Sequence, residues 1–109
     1  MAYDETMAGR VREVLKGRRG VAERKMFGGL AFMVNGHMCC GVLEDKLVLR
    51  LGEAGTLAAL VKPHTAPMNF TGRTMKRMVY VQAEGCETDA RLRAWVDQAT
   101  EFARSLPKK

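Results

Sequence analysis

The sequence predicts an α+β domain whose sheet is mainly antiparallel and is flanked by N- and C-terminal helices. Helical apolar stripes stand at both ends of the chain, short alternating segments fill its middle third, and an Asn-Gly pair separates two of those segments. Strands and helices are segregated along the chain, which argues against the regular β–α alternation of a parallel sheet. The 109 residues suit one domain, and no linker divides residues 1–109.

The first element is a predicted helix with Asp4 as its N-cap. Apolar residues then recur at the spacing of one helical face, namely Met7, Val11, Val14 and Leu15. Gly17 stands where a C′ residue would end the helix.

A meander of strands is predicted next, over residues 21–27, 30–34, 37–43 and 46–51. Asn35-Gly36 predicts a tight hairpin because both residues tolerate the positive φ of a type I′ turn. Gly28-Gly29 lacks the spacing of either common phosphate-binding loop, so we interpret it as a structural bend or bulge. One face of this sheet is expected to be buried and the other to face water.

Two helices are predicted in the second half of the chain, separated by a loop and a strand. Residues 53–61 are expected to form a short helix, because Leu57, Leu60 and Val61 stand at helical spacing, and Pro63 ends it. Residues 62–74 are expected to be a loop and residues 75–82 a strand. Thr88 or Asp89 caps the last helix, whose apolar face comprises Leu92, Trp95, Val96, Ala99, Phe102, Ala103 and Leu106.

The composition is that of a globular protein with a positive net charge. Apolar residues make up 47% and charged residues 28%, and the net charge is +6 with a pI near 9.6. No apolar run is long enough to span a membrane, and the N-terminus lacks the pattern of a secretory signal, so we expect a cytoplasmic protein. The odd number of cysteines favours reduced thiols.

The sequence offers no clear catalytic or metal-binding constellation. Cys39 and Cys40 are adjacent on a predicted strand and are expected to point to opposite faces, which disfavours their binding one ion. The sequence pattern does not indicate a catalytic arrangement of a nucleophile, a histidine and an acidic residue. We therefore expect a protein that is not an enzyme, with no catalytic residues, no metal and no cofactor.

Basic residues are concentrated near the N-terminus, which raises the prospect of a phosphate-binding surface. The alternative interpretation is a solvated face that keeps a small protein soluble. The motifs that read bases, such as a helix-turn-helix or a zinc finger, are missing. The candidate nucleic-acid surface comprises Arg10, Arg12, Lys16, Arg18, Arg19, Arg24 and Lys25.

The predicted loop Pro63–Arg73, with the adjoining Met75 and Lys76, is a candidate partner surface because a loop of this length in a small domain is often functional. It carries large apolar residues beside basic ones. The candidate residues are Met68, Phe70, Arg73, Met75 and Lys76. The alternative is that Phe70 folds back into the core and the loop merely closes the sheet.

The segment Lys25-Met26-Phe27-Gly28-Gly29-Leu30-Ala31-Phe32, the Asn35-Gly36 hairpin and the strand Lys46-Leu47-Val48-Leu49-Arg50 resemble the N-terminal domain of TfoX (Sxy), the bacterial competence regulator. The resemblance extends over about residues 10–106. It also includes Pro67 and Phe70, a strand carrying Met75, Lys76, Met78 and Tyr80, and a last helix with Trp95-Val96 and Ala99. It implies an antiparallel α+β domain of the stand-alone kind, without the C-terminal domain that full-length regulators carry.

The resemblance implies no catalytic residues. Full-length relatives act in transcription regulation, so we expect a small regulatory or adaptor module that binds another macromolecule, with a protein partner as the first expectation. The alternative is direct, weak and non-specific binding of nucleic acid. The oligomeric state, and whether competence is involved, are left open at this point.

Overall fold

The structure is a computed structural model that describes residues 3–26, 28–70 and 73–107, with backbone only at 69–70 and 73–75. It confirms the predicted fold class. Phe27, which the prediction placed at the end of the first strand, lies outside the described residues. The elements are α1 (Glu5–Leu15), β1 (Val21–Met26), β2 (Gly29–Val34), β3 (His37–Leu43), β4 (Lys46–Arg50), α2 (Gly52–Leu60), β5 (Thr65–Phe70), β6 (Arg73–Val81), a 3₁₀ helix (Ala83–Cys86) and α3 (Asp89–Ser105).

Six strands form one antiparallel sheet in the order β1-β2-β3-β4-β6-β5. The first four strands are a meander of neighbouring hairpins. Asn35 and Gly36 both have positive φ, at 53° and 85°, which confirms the predicted tight turn between β2 and β3. After α2 the chain forms a second hairpin, β5–β6, and β6 pairs with β4 to complete the sheet.

The two terminal helices follow their predicted patterns closely. Asp4 caps α1 by accepting hydrogen bonds from the backbone N–H groups of Thr6 and Met7, at 2.8 and 3.1 Å. Thr88 caps α3 in the same way, accepting from the N–H of Arg91. Both predicted stripes are buried, except that Phe102 and Leu106 at the end of α3 are only half-buried.

The short helix predicted over residues 53–61 is present as α2, but its apolar residues do not mark its buried side. The side chain of Leu57 is 68% exposed and that of Val61 is 85% exposed, whereas Thr56 and Ala59 are buried. The helix packs on β6 through this narrow face of small side chains, with Leu60 half-buried at its border. Apolar residues at helical spacing therefore did not identify the buried side of this short helix.

The prediction of a loop over residues 62–74 is also wrong, because most of this segment is in β5 and the start of β6. Pro67 has no N–H to donate to a ladder, which usually argues against a strand. Because β5 is the edge of the sheet and pairs with β6 alone, the missing donor is tolerated.

The Gly28-Gly29 pair has a structural role, as predicted. Gly28 has a φ of +75°, a conformation that residues with a side chain rarely adopt. A Cβ at Gly29 would lie 2.3 Å from the carbonyl oxygen of Val42, so the backbone of β2 approaches β3 too closely for any other residue.

The main core lies between the helices and one face of the sheet. Residues from all three helices join it, together with fully buried strand residues such as Phe32, Val42, Leu47, Leu49 and Val79. We call this side of the sheet the helix face and the other side the open face.

Candidate interaction surface

A second apolar cluster lies on the open face of the sheet. Successive side chains on a strand point to opposite faces, so Leu47 and Leu49 join the core while Val48 between them points away from it. We call the second group the open-face cluster; in the part of the chain that the structure describes it contains strand residues only. Its members are the buried Val48, Met68 and Met78, with the partly buried Met38, Leu43 and Tyr80 packed against them.

Strand register explains how a residue on this face is hidden without a helix above it. Val48 stands opposite Gly41 of β3 on one side and Tyr80 of β6 on the other. The side chain of Val48 has no exposed area. Ala31 of β2, which stands on the other side of Gly41, is equally inaccessible. Small residues in this cross-strand row are shielded by larger neighbours, which remain partly open to solvent.

Cationic side chains lie around the open-face cluster. The Lys46 ammonium is 5.8 Å from the centre of the Tyr80 ring and 3.0 Å from Oε1 of Glu44, and its hydrogen bond with Glu44 raises the pKa of Lys46. Arg24 stands opposite Ala31 and is exposed on the same face. Lys76, two positions before Met78 on β6, is exposed as well.

The cysteines are placed differently from the prediction. Cys40 stands opposite Phe32, but the next paired residue of β3 is Met38 opposite Met33, so Cys39 is the extra residue of a β-bulge. Because of this bulge both thiols join the main core instead of pointing to opposite faces. The hydrogen bond with Cys39, together with complete burial, raises the pKa of Cys40, and burial raises that of Cys86.

The described parts of the chain can be compared with the requirements of a metal-ligand cluster and of a membrane-spanning helix. Within residues 3–26, 28–70 and 73–107, no three His, Cys, Asp or Glu side chains are grouped so that they could hold a metal ion. None of the described helices is long and apolar enough to cross a membrane.

Comparison with known protein families gives one match, which covers most of the chain. The family model described as "TfoX N-terminal domain" matches residues 13–103. The chain belongs to the TfoX N-terminal domain family. The resemblance seen in the sequence is thereby confirmed, and the chain is a domain of the competence-regulator type. Comparison with curated proteins and comparison with solved structures each gave no significant match.

Three of the basic residues proposed as a nucleic-acid surface of this TfoX N-terminal domain make contacts within the chain. Arg12 forms a two-pronged ion pair with Glu23, at 2.7 and 2.9 Å. Arg10 donates to the carbonyl oxygens of Cys86 and Glu87, and Arg18 donates to Asp97. These three guanidinium groups fasten α1 and the following turn to the rest of the domain.

The other four residues of that proposed surface are exposed but do not share one face. Lys16 and Arg19 follow the end of α1. Arg24 and Lys25 are neighbours on β1, so their side chains point to opposite faces of the sheet. The structure therefore brings together only part of the predicted basic surface.

The residues proposed as a partner surface of this TfoX N-terminal domain lie on the β5–β6 hairpin. Met68 is only 2% exposed and is part of the open-face cluster, while Lys76 is exposed. The side chains of Phe70, Arg73 and Met75 lie outside the described residues. Sequence reasoning missed Met38, Leu43 and Tyr80, whose signal was apolar residues at both odd and even positions of β3 and β6.

Proposed function

We propose that this domain is a non-enzymatic regulatory or adaptor module that binds a protein partner through the open face of its sheet. The observation that carries the proposal is the open-face cluster itself. It is a methionine-rich apolar group on a side of the sheet to which the described helices contribute no residue.

The chemistry of the cluster suits recognition. Contiguous apolar groups on a surface mark interaction sites more often than scattered ones. Met38, with an unbranched and polarizable side chain, can adapt its shape to a partner, and Tyr80 presents an aromatic ring with a polar tip. The buried Val48 belongs to the same cluster, and Tyr80 stands directly opposite it on β6.

Charge indicates the chemistry of the partner. The domain carries a net charge of +6, Arg24 is exposed on the open face, and Lys76 is exposed two positions before Met78. A protein segment with an apolar centre and an acidic border would complement this arrangement and would be steered toward it. We therefore propose an acidic protein surface as the occupant.

Nucleic acid is the alternative partner, and Lys16 and Arg19 support it because both are exposed at the end of α1. The two partners respond differently to salt. Neutralising phosphates releases counterions, so nucleic-acid binding weakens steeply as salt rises, with a logarithmic slope of about 0.9 for each phosphate contacted. Docking on an apolar cluster depends much less on salt.

Capture from a lysate of the native host, with and without nuclease, tests the proposal when matched variants are compared. Leu43→Glu places a charge in the open-face cluster, and Leu57→Glu places the same charge on the exposed side of α2. A partner identified by mass spectrometry is then purified, and its affinity for each variant is measured by calorimetry.

We expect one acidic protein to bind the natural domain and Leu57→Glu with similar Kd, and Leu43→Glu at least about tenfold more weakly, since a charge would be buried at the interface. Nuclease should leave its capture unchanged. A partner lost only with Leu57→Glu would place the site on α2, and nuclease-sensitive capture with a steep salt slope would favour the nucleic-acid alternative.

A further inference from the structure

A cavity on the helix side of the sheet lies between the turn that follows α2, the 3₁₀ helix and α3. Its volume is about 370 Å³, which is within the range of pockets that hold small molecules. Three separate parts of the chain form its wall: the turn before β5, the 3₁₀ helix, and one side of α3. The lining residues are Lys62, Pro63, His64, Gly85, Arg91, Ala94, Trp95 and Gln98.

The lining has the chemistry of an anion site with an apolar floor. Lys62 and Arg91 are cationic, His64 can donate from its ring, and Gln98 adds an amide, whereas no acidic side chain is among the eight lining residues. The Lys62 ammonium is 5.1 Å from the centre of the Trp95 ring. Lys62, His64 and Arg91 are exposed, so a ligand can reach all three from solvent.

Several contacts hold the wall in place without a ligand. The indole N–H of Trp95 donates to the carbonyl oxygen of Gly85 at 3.2 Å, which fixes the ring against the 3₁₀ helix. A Cβ at Gly85 would lie 3.0 Å from Cβ of His64, so only glycine allows His64 this close approach. The hydroxyl of Thr65 donates to the carbonyl oxygens of Ala59 and Lys62 and fastens the turn.

His64 itself has a φ of +65°, which is unusual for a residue other than glycine. Its carbonyl oxygen accepts a hydrogen bond of 2.8 Å from the N–H of Gln82, and this bond holds the backbone in that conformation. Asn35 and Glu44 have a similar φ in turns between strands, and such conformations also cluster at binding and catalytic sites.

We propose that this cavity binds a small organic anion, a phosphate or carboxylate attached to a flat apolar group. Lys62 and Arg91 bind the anionic oxygens through charge-assisted hydrogen bonds, and the flat group packs on the exposed Ala94 and on the small part of Trp95 that reaches the cavity. The site is on the helix side of the domain, away from the open-face cluster, and its occupancy does not depend on any protein partner. Such a ligand would make the domain a receptor for a metabolite as well as a binding module.

Intrinsic fluorescence tests this directly, because Trp95 is the one tryptophan of the 109-residue chain. The probes are phenyl phosphate, benzoate, inorganic phosphate and the neutral benzyl alcohol. Lys62→Gln and Arg91→Gln each remove one cation from the cavity, whereas Arg93→Gln removes an exposed cation that lies outside its lining and is the matched control. Ala94→Phe fills the cavity without changing its charge.

We expect phenyl phosphate or benzoate to change the Trp95 fluorescence saturably, and whichever binds tighter identifies the anionic group. Kd should rise about tenfold in Lys62→Gln and Arg91→Gln, consistent with the loss of one charge-assisted hydrogen bond. Arg93→Gln should stay within about twofold of the natural domain, and Ala94→Phe should abolish the signal. Circular dichroism verifies that each variant is folded.

Three results would overturn the assignment: no saturable signal with either aryl anion, equal affinity for benzyl alcohol, or a Kd unchanged in all of the cavity variants. A variant that fails to fold leaves the remaining ones to decide the question. Because the probes are added to the isolated domain, failure here is distinguishable from failure of the open-face proposal.

Discussion

The two faces of the sheet bury apolar side chains in different ways. On the helix face, Leu47 and Leu49 are covered by helices and belong to one large core. On the open face, Val48 is equally inaccessible, yet among the described residues the cluster around it consists of strand residues. One strand, β4, contributes to both.

This difference separates stability from recognition. Apolar residues beneath helices stabilise the fold and are out of reach of any partner. The half-exposed Met38, Leu43 and Tyr80 contribute less burial to the fold, and their exposed portions are available for binding. A sheet with one covered face can therefore carry a stable domain and an interaction surface on adjacent residues.

The largest expected effect is a stability difference between neighbours on β4. Leu49→Ala leaves a cavity in the main core and should cost about 2–5 kcal/mol of unfolding free energy. Val48→Ala removes two carbon atoms whose neighbours are only partly fixed, and at about 0.8 kcal/mol per buried carbon it should cost roughly 1.5 kcal/mol.

Urea denaturation followed by circular dichroism measures both variants. Equal losses of stability would mean that the open-face cluster is as firmly packed as the main core. The distinction between the two faces would then be lost.

A smaller effect on stability is expected at the border of the helix face. There Arg12 of α1 forms an ion pair with Glu23 of the edge strand β1. The hydrogen bond from Arg12 lowers the pKa of Glu23 below its usual value. The stabilisation of the fold by the Arg12–Glu23 pair is therefore fully present above the unfolded-state pKa of glutamate, about 4.3. This stabilisation is lost as pH falls through the lower folded-state pKa of Glu23. Both side chains are more than one-third exposed, so the pair contributes at most about 1 kcal/mol.

The variant Glu23→Gln tests the contribution of this ion pair. The control is Glu13→Gln, which changes an exposed glutamate of α1. At neutral pH only Glu23→Gln should lower the denaturation midpoint, and the difference from the natural domain should shrink in acid. A difference that persists unchanged at pH 2 would show that the charge of Glu23 is not its cause.

Elements governed by local signals could be predicted from the sequence. The α3 stripe, the N-caps Asp4 and Thr88, and the Asn35-Gly36 turn each depend on residues a few positions apart. The paired strands β2 and β3 follow from that turn, because a two-residue hairpin fixes their register up to the bulge.

Elements that depend on residues far away in the sequence could not be predicted. β5 contains Pro67 and forms only because β6 lies beside it, and α2 buries Ala59 instead of Leu57 because β6 accepts a narrow face. No sequence signal indicates the β-bulge at Cys39.

The candidate surfaces show the same limit. Met68 is predicted as a surface residue of a loop and Lys76 as part of the adjoining strand, but Met38 and Tyr80 join Met68 only through sheet pairing. The cavity at Trp95 combines residues 62–64, 85 and 91–98, and no spacing along the chain links them.

Methyl NMR tests the central claim, that the open face is the partner surface, most directly. The methionine methyl groups of Met38 and Met78 report on the open face, and the leucine methyl groups of Leu57 report on the exposed side of α2. Adding the purified partner should shift or broaden the Met38 and Met78 signals and leave those of Leu57 in place. Movement of the Leu57 signals with unchanged Met38 and Met78 signals would contradict the account.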